Sequence, residues 1–206
     1  MIKFTNILEK FEYLRKAFKF VIKNNKSNSA PYHNLNHLMT VTLSVYRLMV
    51  YEELERDSMM KEMLLAAMFH DFNHSAGKLT DDLNVIEAKK AIREFIEQEE
   101  LKVDIQFIDS ILDATQYPYV VEESELNIYQ KIIRDADLMQ LFESNWIHQC
   151  MYGLAQEMNK DFEEFIQIQK KFLSNSKFNT DMGKQLHSMY WERLVAETEL
   201  IEKILK

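Results

Sequence analysis

Four of the six histidines fall into two pairs, His33 with His37 and His70 with His74. Within each pair the spacing is i, i+4, which on a helix brings both rings to one face. Imidazole in its neutral form is a common ligand for divalent metals. Asp71 follows His70 directly, and two more aspartates, Asp135 and Asp137, lie in the run Ile132-Ile133-Arg134-Asp135-Ala136-Asp137-Leu138. All of these groups sit in apolar settings. Met63-Leu64-Leu65-Ala66-Ala67-Met68-Phe69 is apolar on nearly every side and leads straight into His70-Asp71, and His37 shares a helical stripe with Leu38, Val41, Val45, Leu48 and Met49. An ionised carboxylate at the end of a buried helix is costly unless it is paired or bound to a metal. A lone His-Asp pair is more often solvated at a helix end, and a lone histidine on an apolar stripe is more often a hydrogen-bonded core residue. Three separate segments that each carry such groups point to one shared site. Asp135 and Asp137 differ by about 200° around a helix, so they cannot both face one ion. Periodicity does not choose between them: Asp135 lies three before Leu138, and Asp137 four before Leu141.

The elements that must position these groups are helices. Glycine and proline together number five in 206 residues (Gly 3, Pro 2), too few for the turns a sheet protein needs. The apolar fraction of 47% allows a sizeable core, and the length suits one domain. Apolar spacing predicts helices over 4–24, 34–54, 58–70, 81–100, from Asp104 to before Tyr117-Pro118, 122–142, 145–158, 161–173 and 181–205. The expected fold is therefore an all-α, single-domain bundle of eight or nine helices. Asn25 to Pro31 is a polar loop, and Gly77 to Asn84 forms a rim beside the His70-Asp71 turn, with Asp81 and Asp82 as helix caps. Net charge is −8, from 25 basic and 33 acidic residues, which is a poor balance for general nucleic-acid binding or for an anionic membrane surface. A small phosphorylated substrate fits if bound cations supply positive charge locally. Cys150 is the single cysteine, so an intrachain disulfide is impossible. No secretory segment and no uncharged apolar run of about 18 residues is present, so a cytoplasmic protein is expected.

The order His, His-Asp, Asp resembles the HD superfamily of metal-dependent phosphohydrolases. The local strings resemble the catalytic core of the class I cyclic-nucleotide phosphodiesterases: Tyr32-His33-Asn34-Leu35-Asn36-His37 is similar to their Tyr-His-Asn-x-x-His, Ala66-Ala67-Met68-Phe69-His70-Asp71-Phe72-Asn73-His74 to their Ala-Ala-x-x-His-Asp-x-Asp-His, and Ala136-Asp137-Leu138 to their Ala-Asp-Leu. The likeness covers roughly residues 30 to 145. It implies that His37, His70, Asp71 and one later aspartate bind the first of one or two divalent ions (Mg, Mn, Zn or Fe), and the Ala-Asp-Leu match favours Asp137 for that aspartate. It implies that Asp71 bridges to the second ion, that a metal-activated water attacks a phosphate ester, and that His33 is the general acid. His74 would orient water or phosphate through a carboxylate partner.

The chain departs from the phosphodiesterase pattern in three places. Ser75-Ala76-Gly77 stands where Pro-Gly follows the last histidine, Asn73 stands where an aspartate is usual, and the purine-selecting glutamine of that family has five candidates by position: Gln149, Gln156, Gln167, Gln169 and Gln185. The expected function is metal-dependent hydrolysis of a phosphate ester, as a phosphodiesterase acting on a nucleotide or cyclic nucleotide. The alternatives are a nucleotidase or nucleoside-triphosphate hydrolase of the same superfamily, and a non-catalytic metal- or nucleotide-binding sensor.

Overall fold

The computed structural model describes residues 2–206 and contains helices and connecting turns, with no strand among the described residues. Ten α-helices follow in order: α1 (Phe4–Lys10), α2 (Glu12–Asn24), α3 (Leu35–Tyr51), α4 (Met60–Phe69), α5 (Asp81–Gln98), α6 (Ile105–Thr115), α7 (Ile128–Leu138), α8 (Leu154–Glu157), α9 (Phe162–Asn175) and α10 (Asp181–Leu205). That is one more than the upper expectation, because the first apolar stripe does not form one helix. The chain is extended at Phe11, between α1 and α2, and the Phe11 ring packs edge-on against Tyr46. The helix expected over 122–142 is also shorter. Asn127 and Gln130 form a capping box that starts α7 late, and single turns of 3-10 helix flank it at Glu123–Glu125 and Met139–Phe142. The stretch expected as a helix over 145–158 opens as a π-helix, Ile147–Gly153, before the short α8.

α4 is the centre of the bundle. Met63 through Phe69 are all fully buried, and α2, α3, α5, α6 and α7 pack around them. A helix buried on every side needs apolar residues on every side, and this one has them. The main core joins α1 to α7, and a second apolar cluster of Leu141, Trp146, Phe165, Ile166, Leu173 and Leu194 ties α9 and α10 to the π-helix. Between the two clusters, the C-terminal end of α4, the N-terminal end of α3 and the last turn of α7 meet. Among the described residues no helix is long and apolar enough to cross a membrane.

Candidate metal centre

Local chemistry sets the start of α3. The Asn34 side chain accepts a hydrogen bond from the His37 backbone N–H at 3.1 Å, so Asn34 is the N-cap and His37 sits in the first turn. His33 lies just ahead of the cap. α4 ends at Phe69, which puts His70 and Asp71 on the turn that follows. That turn reverses through Asn73, whose φ of 58° is left-handed, a region asparagine tolerates better than most residues. Asn73 also ties the turn to the 25–31 loop: its side-chain oxygen accepts from Lys26 N–H at 2.8 Å, and its own N–H donates to Asn25 at 2.8 Å.

These elements bring His37, His70, Asp71 and Asp137 together, with one ligand-type atom from each lying within 4.8 Å of the others. His37 Nε2 is 3.2 Å from Asp71 Oδ2 and 3.0 Å from Asp137 Oδ1. His70 Nε2 is 3.1 Å from Asp71 Oδ2 and 3.5 Å from Asp137 Oδ1. The other nitrogen of each ring is already engaged. His37 Nδ1 faces Gln140 Oε1 at 2.8 Å, and His70 Nδ1 faces the Ala67 carbonyl at 2.8 Å. Both partners are acceptors, so each Nδ1 carries a hydrogen, and in its neutral form each ring turns an Nε2 lone pair inward. The two Nε2 atoms are 3.2 Å apart and face two carboxylates. A set made only of lone pairs and negative oxygens is stable around positive charge. Two nitrogens and two oxygens are a donor set for a divalent ion, so these residues fit a metal.

The ionisation of the group follows the same logic. Burial pushes His37 towards the neutral form, but the Asp137 and Asp71 carboxylates outweigh it and raise it to about 9. Burial and the same carboxylates act on His70, which also ends well above its ordinary value. Burial opposes the charged form of Asp71, yet His70, His33 and His37 hold it well below the usual carboxylate range. Asp137 is lowered likewise by His37 and His70 against its burial. Protons fill here the role a cation would take.

Asp135, the other candidate, is elsewhere. Its carboxylate is fully buried and accepts from Asn179 N–H at 2.8 Å, Asn179 Nδ2 at 2.9 Å, Thr180 N–H at 2.7 Å and Thr180 Oγ1 at 2.7 Å. Thr180 in turn caps α10 by accepting from Gly183 N–H. Asp135 therefore anchors the start of α10.

His33 and His74 stack with ring centroids 3.5 Å apart beside the four-residue cluster. Glu157, at the end of α8, holds His33. One carboxylate oxygen accepts from the backbone N–H of Tyr32 at 2.7 Å and of His33 at 2.9 Å, and the other pairs with His33 Nδ1. The Glu157 side chain is 1% exposed, and these contacts hold its pKa below the ordinary value against burial. His33, His74 and Glu157 also present ligand-type atoms within 4.8 Å, but the Glu157 oxygens are already engaged with three donors. His74 Nδ1 accepts from Ala76 N–H at 3.2 Å, which leaves Nε2 to face Asp81 Oδ1 at 3.5 Å. The expected cap role of Asp81 is thus corrected: Thr80 is the N-cap residue of α5, and Asp81 accepts from Tyr117 N–H and Asn84 as well as facing His74.

Glu157 and Gln140 were missed in the sequence. Gln140 had a signal, a single polar residue in the apolar run Leu138-Met139-Gln140-Leu141-Phe142. Glu157 had none, because nothing in Met158-Asn159-Lys160 or before it marks one glutamate as buried.

A cavity of about 660 Å³ opens over the cluster, with Tyr32, His33, Asp71, His74 and Asp137 in its wall. The segment after His74 contributes Gly77, Leu79, Asp81 and Asn84, so it does form a rim. The opposite wall is largely apolar, with Leu154, Met158, Phe165, Ile168 and Phe172. Of the five glutamines, Gln169 lines this cavity. It is 2% exposed, and its amide nitrogen has no hydrogen-bond partner among the described residues. The chain matches no family model, no curated protein and no solved structure.

Proposed function

We propose that this protein is a metal-dependent phosphohydrolase of the HD type, and within that class a phosphodiesterase acting on a nucleotide or cyclic nucleotide. The observation that carries the reading is the convergence of two inward-facing imidazole lone pairs and two carboxylates at the wall of a cavity large enough for a nucleotide. The likeness of the three motifs to the phosphodiesterase core supplies the reaction class. Divalent ions bound here would offset the charge of a phosphate and lower the pKa of a water.

The chain's own residues then divide the remaining work. His37 and His70 hold their tautomers through Gln140 and the Ala67 carbonyl, so that Nε2 stays a donor to the metal. Asp71 and Asp137 supply the negative charge that fixes the cation. His33 is the proton donor to the leaving oxygen. Its Nδ1 is held by Glu157, so its Nε2 is the atom free to deliver a proton, and the carboxylate fixes the orientation of the ring. His74 is a positioning residue, since its stacked ring and its Asp81 contact keep the His33 ring from swinging. Gln169 and Phe172 line a wall that suits a purine or pyrimidine, with an aromatic ring to stack on the base. A binding-only sensor has no use for a braced proton donor, which favours turnover.

Dialysis against a chelator followed by metal add-back tests this directly, with bis-para-nitrophenyl phosphate as the generic diester. The metal-free protein is expected to be inactive and to regain hydrolysis with Mn or Mg. His70→Ala and Asp71→Ala should each abolish it. Full activity after chelation would sink the proposal. A panel of monoesters, cyclic diesters and triphosphates separates the phosphodiesterase reading from a nucleotidase or triphosphate hydrolase.

A further inference from the structure

A second chamber of about 300 Å³ adjoins the first and shares Tyr117, Tyr119, Leu138, Phe172 and Asn175 with it as a common wall. Arg134 lines the second chamber only. The residue is 4% exposed, and its guanidinium lies over the Tyr119 ring, 3.9 Å from the centroid. A guanidinium carries five N–H donors. Two are used, Nε to the Ala114 carbonyl and Nη2 to the Val121 carbonyl, both at 2.9 Å. Both acceptors are neutral, and among the described residues no carboxylate reaches ion-pair distance of Arg134. Of the other charged groups lining the chamber, Glu122 and Glu123 attract Arg134 only from beyond ion-pair distance. Lys177 pairs with Glu123 at 3.5 Å in an exposed bridge, and Glu122 is exposed to water. A buried cation whose direct partners are two carbonyls and a ring face is costly unless an anion in contact completes it.

α7 sets how far Arg134 stands from the clustered ligands. Arg134 lies three residues before Asp137, so the two differ by roughly 4.5 Å along the helix axis. One chamber is therefore walled by the metal-binding end of α7 and the next by its arginine, with Tyr119 and Leu138 between them. We propose that the second chamber receives a second phosphate of the same substrate, so that the ligand is a nucleotide-type phosphodiester carrying a further phosphate group, rather than a singly charged cyclic mononucleotide. This rests on the hydrolytic reading of the adjoining cluster. Arg134 would meet the second phosphate with its unused edge while Tyr119 holds the guanidinium plane, a geometry suited to bidentate contact.

The test compares two ligands that differ only in that charge, a dinucleoside monophosphate with and without a terminal phosphate, on Mn-loaded protein. Binding is read by calorimetry and turnover by product formation. The terminal phosphate is expected to tighten binding about tenfold, the size of one charge-assisted contact. Arg134→Gln should bring the ratio of the two affinities close to one, and Arg134→Lys should restore part of it. Should the arginine variants not fold, Asn175→Trp at the exposed common wall fills the chamber and should erase the same ratio. Equal affinity for the two ligands in the unmodified protein overturns the inference, as does a ratio that survives both Arg134→Gln and Asn175→Trp. A preference without turnover overturns the hydrolytic reading and leaves only the phosphate-binding role of the second chamber standing, whereas turnover without a preference overturns this inference and leaves the hydrolytic reading intact.

Discussion

Asp135 and Asp137 stand two residues apart on α7, and their carboxylates have opposite surroundings. Asp135 is fully buried and faces four hydrogen-bond donors from Asn179 and Thr180. Asp137 keeps 26% of its side chain exposed and faces the Nε2 atoms of His37 and His70, rings whose Nδ1 atoms are already engaged. Burial raises the pKa of Asp135 more than its donors lower it, while the histidines drive that of Asp137 down. The difference teaches what a buried carboxylate is for. Where fixed N–H and O–H groups satisfy it, the charge is closed off and holds two segments together. Where its partners are imidazole Nε2 atoms, which can carry a proton or bind a metal, the charge stays open for a cation.

Exchanging the two roles by mutation is the sharpest way to break the comparison. Asp137→Ala should cost about a thousandfold or more in diester hydrolysis, the loss expected when a metal ligand is removed. Its metal-free melting temperature should stay close to that of the parent, and the rise in melting temperature on adding Mn should shrink or vanish. Asp135→Ala should do the opposite. It strands four donors, the two of Thr180 buried, and costs about 3 kcal/mol of stability in a urea titration, with the Mn-induced rise retained. If Asp135→Ala loses metal response and Asp137→Ala loses stability, the assignment of the two residues is wrong. Gly183→Ala probes the same anchor from the other side. A Cβ there would stand 2.3 Å from Asp135 Oδ2 and 3.0 Å from both Phe178 Cδ1 and Thr180 Oγ1. Overpacking against so tight a cluster should cost about 2 kcal/mol, and metal affinity should not change.

The sequence made much of this legible, for reasons that can be traced. Helices dominated because few glycines and prolines interrupt the apolar stripes, and α10 runs to the residues expected, Asp181–Leu205. The four clustered residues stood out because each is costly to bury alone. Periodicity could not choose between Asp135 and Asp137, since the deciding fact is the Asn179-Thr180 turn more than forty residues away. The break at Phe11 was invisible for a similar reason. Its apolar spacing continues through the break, and only the tertiary contact with Tyr46 shows the advantage of an extended residue there. Glu157 is a plain glutamate in a polar stretch until the fold folds it under Tyr32 and His33. Such long-range contacts leave no local pattern to read.

The smallest effect separates ligands from the groups that aim them. Gln140 touches no ligand position of the cluster except through His37, whose Nδ1–H it accepts at 2.8 Å, and it is 1% exposed. Its amide nitrogen approaches Gln149 Oε1 at 3.5 Å, and Gln149 belongs to the π-helix, a form that recurs at functional sites. In Gln140→Leu the volume is nearly kept and the acceptor is lost. His37 can then move its hydrogen to Nε2, and that tautomer cannot bind a metal. Each metal-binding event must first restore the productive tautomer, so Mn affinity should fall about tenfold. Because the ligands themselves remain, saturating Mn should return hydrolysis to near the parent rate, which Asp137→Ala cannot do at any concentration. A calorimetric Mn titration of the two variants side by side reads the difference. Unchanged affinity in Gln140→Leu would mean that the Asp137 and Asp71 carboxylates fix the His37 tautomer without help.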